Sequence, residues 1–283
     1  MSIETTRQLT PHPPNREDSE LEAIQPEDIK QQDIEQEDEW LPEPPPSDLI
    51  FDDGEPLESN RHRIAMNVLI EAVHQAYQGR EDYFAGGNMF VYYSRQQVKN
   101  KDFKGPDFFV ALDVDGTRER QGWVVWDEEG RYPDVIVELM SPSTASQDTG
   151  KKKQLYAQTF HTRDYFVYDP FNPDSLEGWH LSPHFAYENI TPDERGWLWC
   201  ASLGLWLGLW EGTILRETAT WLRFYDPEGN LILLGTERAE QAESALAQER
   251  QEKEQERERA ERAEAELQAL RNLLQEQGIE PNS

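Results

Sequence analysis

The chain of 283 residues has little cysteine, few basic residues and no long apolar run. Its single cysteine, Cys200, cannot form a disulfide within the chain and cannot supply a cysteine-based metal cluster. No stretch approaches the roughly 18 consecutive apolar residues of a membrane span, and the N-terminal residues lack the basic-then-apolar pattern of a secretory signal. We therefore expect a protein of a reducing compartment, the cytoplasm, that does not enter a membrane.

The sequence also lacks the short motifs of several enzyme classes. It has no glycine-rich entry to a helix, no G-K-[ST] phosphate loop and no G-x-S-x-G nucleophile turn, so nucleotide-cofactor enzymes and serine hydrolases find no support. Its six histidines show no H-E-x-x-H spacing. A zinc site therefore has little basis.

Acidic residues outnumber basic residues by 56 to 27, which gives a formal net charge of -29. Residues 1–60 hold 18 acidic and 3 basic residues (-15), and residues 236–283 hold 13 and 7 (-6). The middle of the chain holds 25 and 17 (-8). Only 36% of the residues are hydrophobic, below the roughly 45–50% of a compact domain, so a single globule built from every residue is excluded.

These differences in composition predict three parts. Residues 1–55 combine proline clusters with the acidic run IEQEDEW, which is typical of a disordered segment. Within it, two short apolar islands at 40–41 and 49–51 could pack back onto the core or serve as docking motifs. Residues 56–235 hold nearly all the aromatic residues and are predicted to form the folded domain, whereas residues 236–283 form a charged helical tail.

The tail carries a heptad seam near its end. Leu267, Leu270 and Leu274 continue a spacing that alternates between three and four residues, but the earlier seam positions carry charge. The pattern therefore fits two alternatives. The tail is either a coiled coil that joins copies of the chain as a homo-oligomer or a solvated single helix.

The middle part predicts an α/β fold with a mixed central sheet flanked by helices and extra β-hairpins. A helix is expected to begin near Asn60 and to end near Gln78, and a second helix is expected over residues 149–160. GWVVW and PDVIVELM are predicted to form a meander. The strand that precedes the second helix and the strand that follows it should be parallel, and the Trp-rich segments between 179 and 234 should form hairpins. In order, the strand signals are EDYFAGGNMFVYYS, PDFFVALDV, GWVVW, PDVIVELM and RDYFVYDP.

Acidic side chains occur where the predicted strands should be apolar. Glu138 lies within VIVELM, a strand with apolar residues on both faces, and such a carboxylate is costly unless it meets a metal or a basic group. Asp107 and Asp134 each follow a proline at the start of a strand, and Asp134 shares a face with Glu138. Glu138 is thus the strongest candidate for function, although a structural pairing with arginine or a helix cap is the alternative.

Three consecutive lysines, 151–153, fall in the predicted first turn of the second helix. Positive charge at a helix N-terminus opposes the helix dipole, so local propensity does not explain them. At least one of them could point back over the end of the strand that carries Glu138.

These segments resemble one known family. PDVIVELMSPST, followed by Asp148, Lys152, Leu155-Tyr156 and DYFVYDP, is similar to the pattern of the Uma-two family of restriction-endonuclease-like proteins, in the PD-(D/E)XK nuclease superfamily. The resemblance covers about residues 60–235. It implies a restriction-endonuclease-like core.

The resemblance also implies roles for individual residues. Asp107 and Glu138 match the acidic metal ligands, and Lys152 matches a catalytic lysine carried by the helix. The usual strand lysine of the superfamily would fall at Met140, so Lys152 would replace it from a different element. Asp134 is the competing candidate for the first acidic ligand.

The implied function is metal-dependent hydrolysis of DNA phosphodiester bonds. Two carboxylates suffice to bind Mg²⁺ (or Mn²⁺), which keeps several water ligands. Glu71 could extend the acidic cluster or lie on a solvated helix face. The acidic charge of the chain opposes nucleic-acid binding, although basic groups at 61–63, at Lys99, Lys101 and Lys104, and at 151–153 could line one groove. The alternative function is a catalytically inactive nuclease fold that acts in binding or assembly through its C-terminal helix.

Overall fold

The structure, a computed structural model, describes residues 46–47, 49–51, 59–100 and 104–276. The segment predicted to be disordered, residues 1–55, lies mostly outside the described residues, as do the apolar island at 40–41 and the C-terminal end of the chain. The island at 49–51 is described: the carbonyl of Ile50 accepts a hydrogen bond from the hydroxyl of Tyr92, and the ring of Phe51 packs edge-on against the Tyr92 ring.

Helices and strands are mixed in the first part of the described chain, and six consecutive strands precede the C-terminal helix. The helices are α1 (Asn60–Ala76), α2 (Arg95–Asn100), α3 (Ala145–Gln147), α4 (Lys153–Leu155) and α5 (Gly235–Glu276), with a 3₁₀ turn at Val125–Asp127 and π-helical segments at Asp148–Lys152 and Tyr156–Phe160. The strands are β1 (Tyr83–Gly86), β2 (Val91–Tyr92), β3 (Phe108–Leu112), β4 (Trp123–Val124), β5 (Val135–Leu139), β6 (Asp164–Asp169), β7 (Asn172–Leu181), β8 (Tyr187–Asn189), β9 (Leu198–Cys200), β10 (Leu205–Ile214) and β11 (Glu217–Tyr225).

A six-stranded mixed sheet forms the centre of the fold, in the order β1-β3-β5-β6-β7-β8. Strands β5 and β6 are parallel, and the other neighbouring pairs are antiparallel. Residues 145–160, which we call the crossover helix, connect the parallel pair. The predicted α/β fold with a mixed central sheet is thus confirmed.

The two faces of the sheet bury different partners. On β5, Val135 and Val137 belong to a core shared with α1 and with the antiparallel sheet β11-β10-β9, which contains the predicted hairpins. Ile136 and Met140 face the other way, into a core shared with Tyr156 of the crossover helix. Strand β5 is therefore covered on both faces, as its continuous apolar sequence indicates.

Three local predictions need correction. Strand β4 pairs in parallel with β2 and not in a meander with β5, because β3 already occupies that edge of β5. Helix α1 begins at Asn60 as predicted, with the Ser59 hydroxyl accepting a hydrogen bond from the His62 amide at 3.3 Å, but it ends at Ala76, two residues before the predicted end. Residues 230–234 contribute only a bridge between Leu231 and Tyr225.

The crossover helix also begins earlier than predicted, at Ala145. A hydroxyl-rich turn supports its start: the Thr144 hydroxyl accepts a hydrogen bond from the Ser141 amide at 3.0 Å. The lysines 151–153 therefore lie in the middle of the helical run, where the helix dipole does not oppose them.

Helix α5 extends for 42 residues, about 63 Å at 1.5 Å per residue. Side chains 238–273 are exposed, and several form ion pairs within the helix, such as Lys253 with Glu249. The contacts that attach its first turn to the folded domain include the Gly235 amide, which donates to Glu71 at 2.6 Å, and Glu237, which binds Arg223. Among the described residues, no helix is both long enough and apolar enough to cross a membrane.

The attachment of α5 depends on a buried ion pair. Arg223 is fully buried, and its two terminal nitrogens donate to the Glu237 carboxylate at 3.0 and 2.7 Å. We predict that Glu237→Ala lowers the free energy of unfolding by about 3 kcal/mol, because it leaves a buried guanidinium without its counter-charge. Urea denaturation of the variant beside Glu240→Ala, an exposed position one turn away, measures this. Equal midpoints for the two variants would contradict the prediction.

Candidate active site

The carboxylate of Glu138 lies on the face of β5 that is turned toward the crossover helix, and the residue is 0% exposed. Its Oε1 accepts a hydrogen bond from the Tyr156 hydroxyl at 2.6 Å. Its Oε2 lies 3.1 Å from Nζ of Lys152. Both partners come from the crossover helix, so this helix supplies what a buried carboxylate needs to remain in an apolar strand.

Three residues of the crossover helix, Asp148, Lys152 and Tyr156, follow one another at intervals of four and so share one side of the helix. Nζ of Lys152 lies 2.8 Å from Oδ1 of Asp148 as well as close to Glu138. Asp148 and Lys152 bound one π-helical segment, and Tyr156 begins the other. The Tyr165 hydroxyl donates to the Asp148 carbonyl at 2.8 Å, which gives that carbonyl a partner outside the helix. Wide turns of this kind are frequent at functional sites.

Asp107 reaches the same place from the neighbouring strand. It directly precedes β3, and its Oδ2 accepts a hydrogen bond from the Leu139 amide at 2.7 Å. Burial raises the pKa of Asp107 well above its ordinary value, the charge of Glu138 raises it further, and Lys152 acts in the opposite direction. Asp107 is therefore close enough to Glu138 for the charge of Glu138 to disfavour the ionised form of Asp107.

Three acidic side chains, Asp107, Glu138 and Asp148, and one basic side chain, Lys152, form what we call the carboxylate cluster. Burial and the charge of Glu138 also raise the pKa of Asp148. For Lys152, burial alone would lower the pKa, but Glu138 and Asp148 outweigh it and the pKa rises. Lys152 is therefore a cation at neutral pH, and three carboxyl groups lie around this single ammonium group.

The oxygen atoms of the cluster fit a hard divalent cation. Among the described residues, Oε2 of Glu138 and Oδ1 of Asp148 are buried and accept no hydrogen bond, and the ammonium of Lys152 lies 3.1 and 2.8 Å from them. Within the described part of the chain, no group of three or more His, Cys, Asp and Glu side chains is arranged to hold a metal. Mg²⁺ usually binds through one or two carboxylates and keeps several waters, so Asp107 and Glu138 could hold it without a third protein ligand.

The structure thus brings Asp107, Glu138 and Lys152 together and leaves Asp134 apart. Oδ2 of Asp134 accepts from the Leu112 amide at 2.8 Å, and its Oδ1 lies 3.6 Å from Nε of Arg163. Asp134 and Glu138 are four residues apart on one strand, about 13 Å. Asp134 therefore belongs to the opposite end of β5 and does not compete for the cluster.

Other sequence candidates have structural partners elsewhere. Glu71 accepts from the first amide of α5 and does not extend the acidic cluster. Arg61 pairs with Glu217 at 2.7 Å, and Arg63 donates to Asn60. The basic group at 61–63 is therefore largely neutralised or bonded locally.

Asp148 and Tyr156 belong to the sequence motif that resembles the Uma-two pattern, but the sequence alone predicted no role for either of them. Their spacing from Lys152 was the available signal, because residues four apart lie on one side of a helix. Met140, at the usual position of the superfamily lysine, is buried in the apolar core next to Tyr156. The ammonium group beside Glu138 comes from Lys152 on the crossover helix.

Comparisons with known proteins identify a family. The family model of Uma2, described as "Putative restriction endonuclease", matches residues 34–216. A crystal structure of "a putative nuclease belonging to DUF820" from Anabaena variabilis ATCC 29413 is similar at 16% sequence identity, with a TM-score of 0.36, over 53% of this chain and 76% of that chain. No curated protein matches this chain.

The crowded carboxylates predict that Asp107→Asn stabilises the metal-free protein. Asparagine keeps an oxygen for the Leu139 amide and removes the charge that burial and Glu138 oppose. Because the folded-state pKa of Asp107 is raised, the wild type benefits from protonation at low pH and loses that benefit as pH rises through the folded-state pKa. We expect a gain in stability at pH 8.5 that shrinks toward pH 5.5, because the charged form of Asp107 that the substitution removes is less populated at the lower pH.

Denaturation in EDTA at both pH values measures this gain. Asp134→Asn is the matched control, because Asp134 also accepts a hydrogen bond from a strand amide but lies outside the cluster. It should gain less. A loss of stability in Asp107→Asn at pH 8.5 would show that Asp107 is held by favourable pairing and not by crowding.

Proposed function

The chain belongs to the Uma2 family, and we propose that it is a metal-dependent endonuclease that hydrolyses phosphodiester bonds in DNA. The observation that carries this proposal is the convergence of Asp107, Glu138 and Lys152, from two strands and one helix, in a cluster that with Asp148 holds three carboxyl groups and one ammonium group. Three neighbouring carboxyl groups repel one another in their charged forms more than one ammonium can offset, and a bound divalent cation would relieve this repulsion.

The residues of the cluster have distinct parts in this proposal. Asp107 and Glu138 hold Mg²⁺ or Mn²⁺, which when bound supplies charge stabilisation at the phosphate and acidifies the attacking water. The Tyr156 hydroxyl fixes one oxygen of Glu138 and leaves the other for the site. Asp148 holds the ammonium of Lys152 beside Glu138.

Lys152 acts in this proposal as a cation. Its pKa is raised by Glu138 and Asp148, so it carries a proton at neutral pH and is a poor base. Its side chain is 21% exposed, whereas the side chains of Glu138 and Asp148 are almost completely buried. A phosphate that approaches from solvent therefore meets the ammonium, which would stabilise the charge that develops in the transition state.

The second candidate function is assembly through the C-terminal helix by a protein that keeps the nuclease fold without cleaving. The observation that favours it is the exposure of α5, in which Leu267 and Leu270 are 50% and 59% exposed. Exposed leucines on a long charged helix are typical of a surface that pairs with another helix. The two functions are compatible, but only the first requires the carboxylate cluster.

Cleavage of plasmid DNA tests the proposed nuclease activity. Wild type should cut with Mg²⁺ or Mn²⁺ and stop cutting when EDTA is added. Asp107→Asn and Glu138→Gln should each lower the rate by roughly a hundredfold or more, because each removes an anionic ligand. Asp134→Asn should cut like wild type.

The same proteins give a second readout. A metal that binds only the folded state stabilises it by about 2.7 kcal/mol at a hundredfold excess over its dissociation constant. Mg²⁺ should therefore raise the melting temperature of wild type and of Asp134→Asn, and leave Asp107→Asn unchanged. Equal cutting by wild type and Glu138→Gln would mean that the activity comes from another protein. Absence of cutting with either metal would leave assembly as the function.

Self-association through α5 has its own test. We expect the full chain to form dimers with a dissociation constant in the micromolar range or weaker, because only the last part of the seam is leucine-rich. A chain that ends after residue 249 should be monomeric, and it keeps Glu237, which Arg223 needs. Sedimentation velocity should also show that the full-length variant Leu267→Glu is monomeric. The full-length variant Ala265→Glu, which changes a position outside the seam, should still form dimers. If the full chain stays monomeric at high concentration, the prediction that this seam joins two copies of the chain is wrong.

A further inference from the structure

A groove lies between the crossover helix and the turn that joins β7 to β8. Its volume is about 490 Å³, and we call it the lysine groove after the residues that decide its chemistry: Gly150, Lys151, Lys153, Phe185 and Tyr187. A volume of this size accommodates a small ligand or one unit of a polymer. The groove is distinct from the carboxylate cluster but shares the crossover helix with it, since Lys152 reaches the cluster while its two neighbours line the groove.

The charge of the groove is opposite to that of the chain. Among the described residues, those that line it include two lysines and no acidic side chain, whereas the chain as a whole carries -29. Nζ of Lys153 lies 3.5 Å over the ring of Trp179, a cation–π contact that fixes its position. Lys151 is exposed and available to a ligand. Glu177 is the acidic residue whose charge reaches Lys153 from outside the lining.

An exposed aromatic pair lies at one side of the groove. The ring of Phe185 is 53% exposed and lies 4.3 Å, centroid to centroid, from the ring of His161. Both residues have left-handed backbone conformations, with φ of 57° and 53°. Glycine or asparagine is favoured there, and a bulky residue costs roughly 1–2 kcal/mol. Because the ring remains half exposed, its burial offsets little of this backbone cost. The stability of the fold alone therefore does not explain a phenylalanine at this position.

We propose that the lysine groove binds a single strand of nucleic acid, with a phosphate on Lys151 and a base stacked on Phe185. Phosphate contacts supply attraction that depends little on sequence, and a free aromatic face stacks any base. The bases of an intact duplex are already stacked on each other, so Phe185 selects an unpaired strand or a frayed end. This inference rests on the proposed function in taking nucleic acid as the ligand, and it adds a holding site beside the helix that carries Lys152.

Fluorescence anisotropy with a labelled oligothymidine, in EDTA and at low salt, measures this binding on the full chain without cleavage. Phe185→Gly should weaken binding about five- to fiftyfold through lost stacking. Lys151→Glu should weaken it about tenfold and reduce the slope of log affinity against log salt by about 0.7 or more.

Two control variants match these changes. Leu215→Gly also replaces an exposed apolar residue with a left-handed backbone, φ 48°, but Leu215 does not line the groove. Lys253→Glu reverses an exposed charge on α5. Both should bind like wild type. If Phe185→Gly binds like wild type, or if a duplex of the same length binds as tightly as the single strand, the inference is wrong.

The test also separates other ligands and other failures. An oligoglutamate peptide that binds as tightly as the oligonucleotide would overturn the inference in favour of an acidic-peptide site. Glu138→Gln should bind the strand like wild type, because the cluster does not line the groove. If wild type binds the strand but does not cleave DNA, the proposed nuclease function is wrong and the proposed groove is not affected. If wild type cleaves DNA and Phe185→Gly binds the strand as tightly as wild type, the proposed groove is wrong and the nuclease function is not affected.

Discussion

The pairing of Glu138 with Lys152 and Tyr156 is the constraint on which the arrangement of this protein depends. A carboxylate in the middle of a strand that is covered on both faces requires partners, and these come from the helix that links β5 to β6. The pairing therefore fixes the rotation of the crossover helix over the sheet. It also explains why its polar residues recur at intervals of four. The wide π-helical turns occur at the same residues, where side-chain pairing and the Tyr165 contact determine the path of the helix.

The two ends of the β3–β5 pair show how the same local hydrogen bond, from a strand amide to an aspartate, can occur in two different surroundings. Asp107 accepts from the Leu139 amide and Asp134 accepts from the Leu112 amide, so each carboxylate caps the antiparallel pair β3–β5 at one end. Local sequence makes them equivalent, because both follow proline and precede an apolar run. Only the direction of the strands places one beside Glu138 and the other near Arg163. That difference comes from tertiary pairing and could not be predicted from either segment alone.

Sequence patterns predicted the elements better than their partners. The apolar runs and their turns predicted the strands, the crossover helix and the parallel pair, because period and composition act within one segment. The misplaced meander of GWVVW and the unexpected role of Glu71 at the start of α5 both depend on contacts between distant residues. Likewise, Glu138 was a candidate because its burial was predictable. The neighbours Asp148 and Tyr156 were less visible, because a polar residue on a helix is ordinary until the face it occupies is known.

Charge placement, more than net charge, decides whether so acidic a chain can act on a polyanion. Repulsion between exposed charges fades within a screening length of about 8–10 Å at physiological salt, so acidic surfaces farther away have little effect on a bound phosphate. Many arginines near the core are already neutralised, as Arg61 is by Glu217 and Arg223 by Glu237. Of the three lysines on the crossover helix, Lys152 is turned toward the carboxylate cluster, Lys153 lies over the ring of Trp179 and Lys151 is exposed to solvent. In the proposed function, a divalent ion at Asp107 and Glu138 would convert the most repulsive part of this region into its most attractive part, so the scissile phosphate would enter the carboxylate cluster only when metal is bound.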